Sequence, residues 1–151
     1  MSYDIYFLRR RPGQSWEDAM DILEEEAEDD EELSRPEQWD QVVTGVRVIL
    51  GDVTVADRPP DWEIDDQKTA IQVSCYAGEW SMTVPYWYDG ERAEAIACQL
   101  LAIAGLICDA TGLEAYDPQT EVEVTSSAWT PAKAATVFDQ VAESFNQRGI
   151  R

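Results

Sequence analysis

Residues 91–112, ERAEAIACQLLAIAGLICDATG, form the longest helical pattern in the chain, apolar around most of its circumference. Such a helix has to be covered on several sides, so it predicts a central helix packed against a sheet, with Gly112 as its stop.

The partner sheet is legible as period-two alternation. In YDIYFLRR, Tyr3, Ile5 and Phe7 alternate with Asp4, Tyr6 and Leu8, and the following RPG breaks the pattern. AIQVSCY and WSMTVPYWY are two further strand patterns joined by AGE, a hairpin whose inward faces are Ile71, Val73, Cys75 and Trp80, Met82, Val84, Tyr86. Pro85 cannot donate to a ladder, which predicts a sheet edge there. LEAY and EVEV are short strand candidates on either side of DPQT, where Asp-Pro favours a turn.

Three more helices are expected. One opens at Trp16 behind a Ser15 cap and presents Trp16, Ala19, Met20 and Leu23. A second is capped by Ser34, with Pro36 and Glu37 in its first turn, and runs along Trp39, Val42, Val43, Val46 and Leu50 to Gly51. The last starts at Thr130 and Pro131, passes through Ala135, Phe138, Val141 and Phe145, and stops at Gly149. DRPPD, before the hairpin, reads as a break. Strands and helices do not alternate strictly, and the hairpin is antiparallel. The expectation is one α+β domain over 1–151, mainly an antiparallel sheet with helices packed chiefly on one face.

Charge narrows the functions. With 11 Lys and Arg against 31 Asp and Glu, the net charge is −20. That field repels phosphates and anionic lipids, so neither nucleic acid nor a membrane surface is an expected partner. It attracts basic proteins and divalent cations, and it also keeps a protein soluble. The N-terminus places apolar residues before its arginines, the reverse of a secretory signal. Cys75, Cys98 and Cys108 cannot all pair within one chain, and the latter two fall where thiols pack as small hydrophobes. A reducing, cytoplasmic setting is expected, with no cofactor.

The chain has no histidine, which removes the usual base of serine and cysteine nucleophiles and the commonest neutral metal ligand. It has no C-x-x-C pair, no phosphate-binding G-x-x-x-x-G-K-[ST] and no G-x-G-x-x-G. Among so many acids no spacing selects a catalytic pair, and DRPPDWEIDD lacks the spacing and glycine of an EF-hand. No catalytic or metal-binding residue is therefore assigned. A hydrolase acting through carboxylates would need two of them converging in a concave pocket.

Two features remain as candidate contact surfaces. The run Glu24, Glu25, Glu26, Ala27, Glu28, Asp29, Asp30, Glu31, Glu32 places eight carboxylates in nine positions. Acids at the C-terminal end of a helix face the negative pole of its dipole and repel one another, which predicts a helix end or mobile linker over about 24–33. The run is either a solvated segment between two helices or a docking surface for a basic partner. The second feature is aromatic. Alternation puts Trp80 in the core and Trp87 on the opposite face, with Tyr88 joining Trp87 through the turn at Asp89 and Gly90. Arg9, Arg10 and Arg11 read as internal counter-charge to the acid run, which places the end of the first strand near it.

The segments MSYDIYF and TGLEAYDPQT resemble parts of small bacterial proteins, some of which are similar to immunity proteins of toxin systems. The resemblance implies a cytosolic, non-catalytic protein that neutralises a toxin by binding it, and it carries over no site residue. The function expected is an acidic protein-binding module, an immunity or inhibitor protein that occludes a basic partner such as a nuclease. A homodimer through the open edge near Pro85 is the structural alternative, and a carboxylate-dependent hydrolase the catalytic one.

Overall fold

A computed structural model describes residues 2–29 and 35–147. The elements in chain order are β1 (Ser2–Leu8), α1 (Trp16–Asp29), α2 (Trp39–Leu50), β2 (Thr54–Arg58), β3 (Asp61–Asp65), β4 (Gln72–Tyr76), β5 (Glu79–Pro85), α3 (Gly90–Thr111), β6 (Glu114–Asp117), β7 (Val122–Glu123) and α4 (Pro131–Gln147). All strands pair antiparallel in one sheet of order β2-β3-β4-β5-β1-β6-β7, an α+β fold.

The register explains the core. Ile5, Met82, Val73, Ile64 and Val55 line up across five strands, and Phe7, Trp80, Cys75 and Trp62 form the next row. Successive side chains point to opposite faces, so these rows share the inner face, and all but half-buried Val55 are buried. The helices α2, α3 and α4 contribute the other side of that core through Trp39, Val42, Val46, Ile96, Leu100, Ile103, Ile107 and Phe138. Trp39 meets Trp80 at 5.6 Å between ring centres, and Tyr3 stacks on Phe138 at 5.1 Å. The α2 and α3 axes approach closely at Gly45, where a Cβ would stand 2.4 Å from Leu106 Cδ2.

The helix α1 packs on the outer face, over β1 and β6. There Ala19, Trp16 and Met20 meet Leu8, Tyr6 and Tyr116, with Trp16 stacked on Tyr116 at 4.7 Å. Its start follows the expected cap, with Asp18 N donating to Ser15 Oγ at 3.1 Å. Thr130 caps α4 in the same way, through a 3.2 Å bond from Lys133 N.

Several expectations are corrected. The DRPPD stretch belongs to a β2–β3 hairpin that turns at Pro59 and Pro60. Strand β5 is interior, between β4 and β1; Pro85 is tolerated as its last residue, and the edges are β2 and β7. The hairpin connection is the two residues Ala77 and Gly78, both with positive φ, as a twist-matching type I′ turn requires. The second helix opens at Trp39, with Trp39 N bonded to Pro36 O at 3.1 Å, and the expected cap Ser34 lies outside the described residues, as does the Gly149 stop. By length and composition α3 is long and apolar enough to cross a membrane, but its buried residues pack into the core. Cys98 is exposed rather than packed, because α3 turns Ala95, Cys98 and Ala102 away from the sheet.

Candidate functional site

On the outer face of β2, β3 and β4 no described helix packs. The alternation that buries Trp62 and Ile64 turns Asp61, Glu63 and Asp65 outward in one row along β3. On one side they face Arg58, Ala56 and Thr54, and on the other Tyr76, Ser74 and Gln72. Arg58 is the one cation among these outward positions. Burial, then the hydrogen bond and charge of Asp61, then the charge of Asp65, raise the Glu63 carboxyl above the ordinary glutamate range, and Arg58 pulls it down. Tyr76, half-exposed at 51%, offers an aromatic ring at the end of this row.

Among the described residues two carboxylates are buried, and both are committed to structure. Asp117 Oδ2 accepts hydrogen bonds from the Tyr3 hydroxyl and from Trp129 Nε1, the latter at 2.7 Å. Its Oδ1 accepts from Gln119 N at 2.8 Å, from Gln119 Nε2 and from Thr120 N at 3.3 Å, closing the turn at Pro118. Gln119 also extends the sheet: its Oε1 accepts from Asp4 N at 3.0 Å and its Nε2 donates to Asp4 O at 2.8 Å. The two segments that carried the resemblance, MSYDIYF and TGLEAYDPQT, thus meet in one internal network. Asp66 takes Thr69 Oγ1 at 2.6 Å and Thr69 N at 3.3 Å, which closes the β3–β4 turn.

The sequence-derived candidates divide. Trp87 is 74% exposed in the loop between β5 and α3. Tyr88 does not join it as a free ring; it is half-buried, and its hydroxyl donates to Thr69 O at 2.6 Å, tying that loop to the β3–β4 turn. Of the acid run, residues 24–29 complete the α1 backbone, with their carboxylates outside what is described. Asp30, Glu31 and Glu32, the heart of the expected linker, lie outside the described residues. Arg10 is used internally, 3.6 Å from Glu114 and stacked over Trp16 at 4.1 Å, so its counter-charge is on β6.

Two grooves bear on catalysis. One of about 310 Å³ at the end of β1 has, among the described residues, a single carboxylate, Glu79, beside Arg9 and Arg11. The other, of about 270 Å³, is lined by Asp52, Asp65, Asp66 and Lys68, but Asp66 is held by Thr69 and Lys68 Nζ donates to Leu50 O at 3.2 Å. Among the described residues no group of three or more Asp, Glu or Cys is arranged to hold a metal ion. The Cys108 thiol, pushed up to about 11 chiefly by burial, is no ready nucleophile.

The outer row on β3 escaped the sequence reading although its signal was present, since Asp61, Glu63 and Asp65 alternate with Trp62 and Ile64. Compared with protein-family models, with curated proteins and with solved structures, the chain matches none.

Proposed function

We propose that the protein is a non-catalytic binding module that docks a basic protein through its acidic surface, in the manner of an immunity or inhibitor protein that occludes a toxin nuclease. The observation that carries this reading is the sheet face on which no described helix packs, with Asp61, Glu63 and Asp65 in a row. Like charges held side by side raise one another's energy, and a cationic partner relieves that repulsion. The net charge of −20 steers such a partner at long range, and Tyr76 and Trp87 supply exposed rings for short-range contact. The acid run of residues 24–32 adds to the steering field whatever its conformation.

Affinity capture at low salt from lysate of the source organism tests this. The baits are the native protein, a variant with Asp61→Asn, Glu63→Gln and Asp65→Asn, a variant with the acids of 24–32 neutralised, and an unrelated protein of equal charge. One basic protein held by the native bait, weakened by the β3 substitutions and absent from the control is the expected result. With that partner in hand, Trp87→Ala should cost about 1 kcal/mol or more of binding. Recovery of the same basic proteins by every bait would overturn the reading.

A further inference from the structure

The arginines at the end of β1 do not share one role. Arg10 is occupied by Trp16 and Glu114, whereas Arg9 and Arg11, one residue to either side, are exposed and line the groove of about 310 Å³. Neither makes an ion pair with a described residue. The extended chain explains the division, because residues two apart share a side. Arg11 is held in place by its turn: Gln14 N donates to Arg11 O, and Arg11 N donates to Gln14 Oε1, each at 2.9 Å. Arg9 lies beside Gly112 at the C-terminus of α3, which meets it with a partial negative charge only.

Apart from Gln14 and Glu79, the remainder of the groove is apolar. Of its lining, Phe7, Leu8 and Ala19 are buried, Leu113 is half-buried and Ile22 is 37% exposed. Glu79 stands in the lining as well. A pocket of this size, largely apolar with a few polar side chains in its lining, has the character of a small-molecule site. Two guanidinium groups select an anionic oxygen pair, since each presents planar donors matched to a carboxylate. Glu79 and the protein's overall charge oppose a doubly charged head.

We propose that this groove is a binding site for a small monocarboxylate with an apolar body, its head held by Arg9 and Arg11 and its body on Leu8, Ala19, Ile22 and Leu113. The site is independent of the docking face on β3, and either can fail without the other.

Methyl NMR titration of the full chain tests it, with hexanoate, hexanol, hexylammonium and N-acetylleucine as probes. Hexanoate should shift the methyl signals of Leu8, Ala19, Ile22 and Leu113 saturably, bind about tenfold more tightly than hexanol and weaken with salt. Hexylammonium should leave them unmoved. Arg9→Gln with Arg11→Gln should remove the preference for hexanoate over hexanol while hexanol binding stays. Ile22→Glu, a change at a partly exposed position, should repel hexanoate and provides a second variant if the first misfolds. N-acetylleucine binding more tightly than hexanoate assigns the site to peptide C-termini, and the reverse order assigns it to free alkyl carboxylates. Equal binding of hexanoate and hexanol, shifts centred elsewhere, or full hexanoate affinity in the arginine variant would overturn the site.

Discussion

Asp117 and the acids of β3 belong to the same sheet and carry the same chemical group, yet they stand in opposite situations. Asp117 is fully buried and surrounded by donors from the Tyr3 hydroxyl, Trp129, Gln119 and Thr120. Asp61, Glu63 and Asp65 are half-exposed and stand next to one another, with Arg58 the cation facing them and a long 3.5 Å bond from Ser74 Oγ to Asp61 Oδ1. A buried carboxylate is tolerable when N–H and O–H dipoles take the place of water, and breaking such a set leaves those donors unsatisfied. Surface carboxylates need no partner to stay solvated, so a crowded row of them is maintained at a small cost to stability. The difference separates an acid that builds the fold from acids free to meet something else.

The largest effect should come from Asp117→Ala. Its loss strands donors from β1, from the β6–β7 turn and from the segment before α4 at one point, and should cost about 3–5 kcal/mol of unfolding free energy. Asp66→Ala loosens only the β3–β4 turn, where Thr69 is its main partner, and should cost about 1–2 kcal/mol. Urea denaturation of the two variants compares them directly. A loss at Asp117 no larger than that at Asp66 would mean that the network is local and does not join distant elements.

Tyr3 sharpens the same contrast through pH. Burial, and then the charge and hydrogen bond of Asp117, hold its hydroxyl far above the ordinary tyrosine range; Tyr86 is pushed up to about 12 by burial first, then by Asp117 and Asp4. A phenol that ionises less readily when folded contributes stability that is fully present below the unfolded value of about 10 and is lost as pH rises toward the folded value. The thermal midpoint should therefore fall steeply above about pH 10. Tyr3→Phe should cost about 2 kcal/mol at neutral pH, since it removes a hydrogen bond to a charged acceptor, and should flatten the alkaline decline. An unchanged alkaline slope in Tyr3→Phe would assign that decline to Tyr86 or to other groups.

What the sequence made legible follows the distance over which each signal acts. The strands β1, β4 and β5 were readable because alternation is a local pattern, as were the Ser15 and Thr130 caps, each closed within three residues. The β2–β3 hairpin was hidden by its own prolines and acids, although Trp62 and Ile64 carry the strand period. Pro85 misled because a missing N–H at the last residue of a strand does not require an open edge. The turn at Asp117 was visible, but its burial was not, because Tyr3 stands 114 positions away and only the folded sheet brings the two together. The groove at Arg9 and Arg11 was likewise hidden, since one uninterrupted run of arginines does not say which member is taken by Trp16 and Glu114.

The smallest effect, and the one of opposite sign, belongs to Glu63. Because its carboxyl is raised in the fold, it contributes stability at acid pH that is lost as pH rises through the ordinary glutamate range near 4.3 and beyond. Glu63→Gln removes one like charge from the row while keeping its size, so at pH 7 the variant should be more stable than the parent by about 0.3 kcal/mol, with the difference vanishing near pH 4. Thermal unfolding at the two pH values measures this. The same substitution should slow association with a basic partner, so stability and binding should move in opposite directions. A variant that is less stable at neutral pH would show that the row is held by favourable contacts, and the repulsion taken to favour docking on β3 would no longer support it.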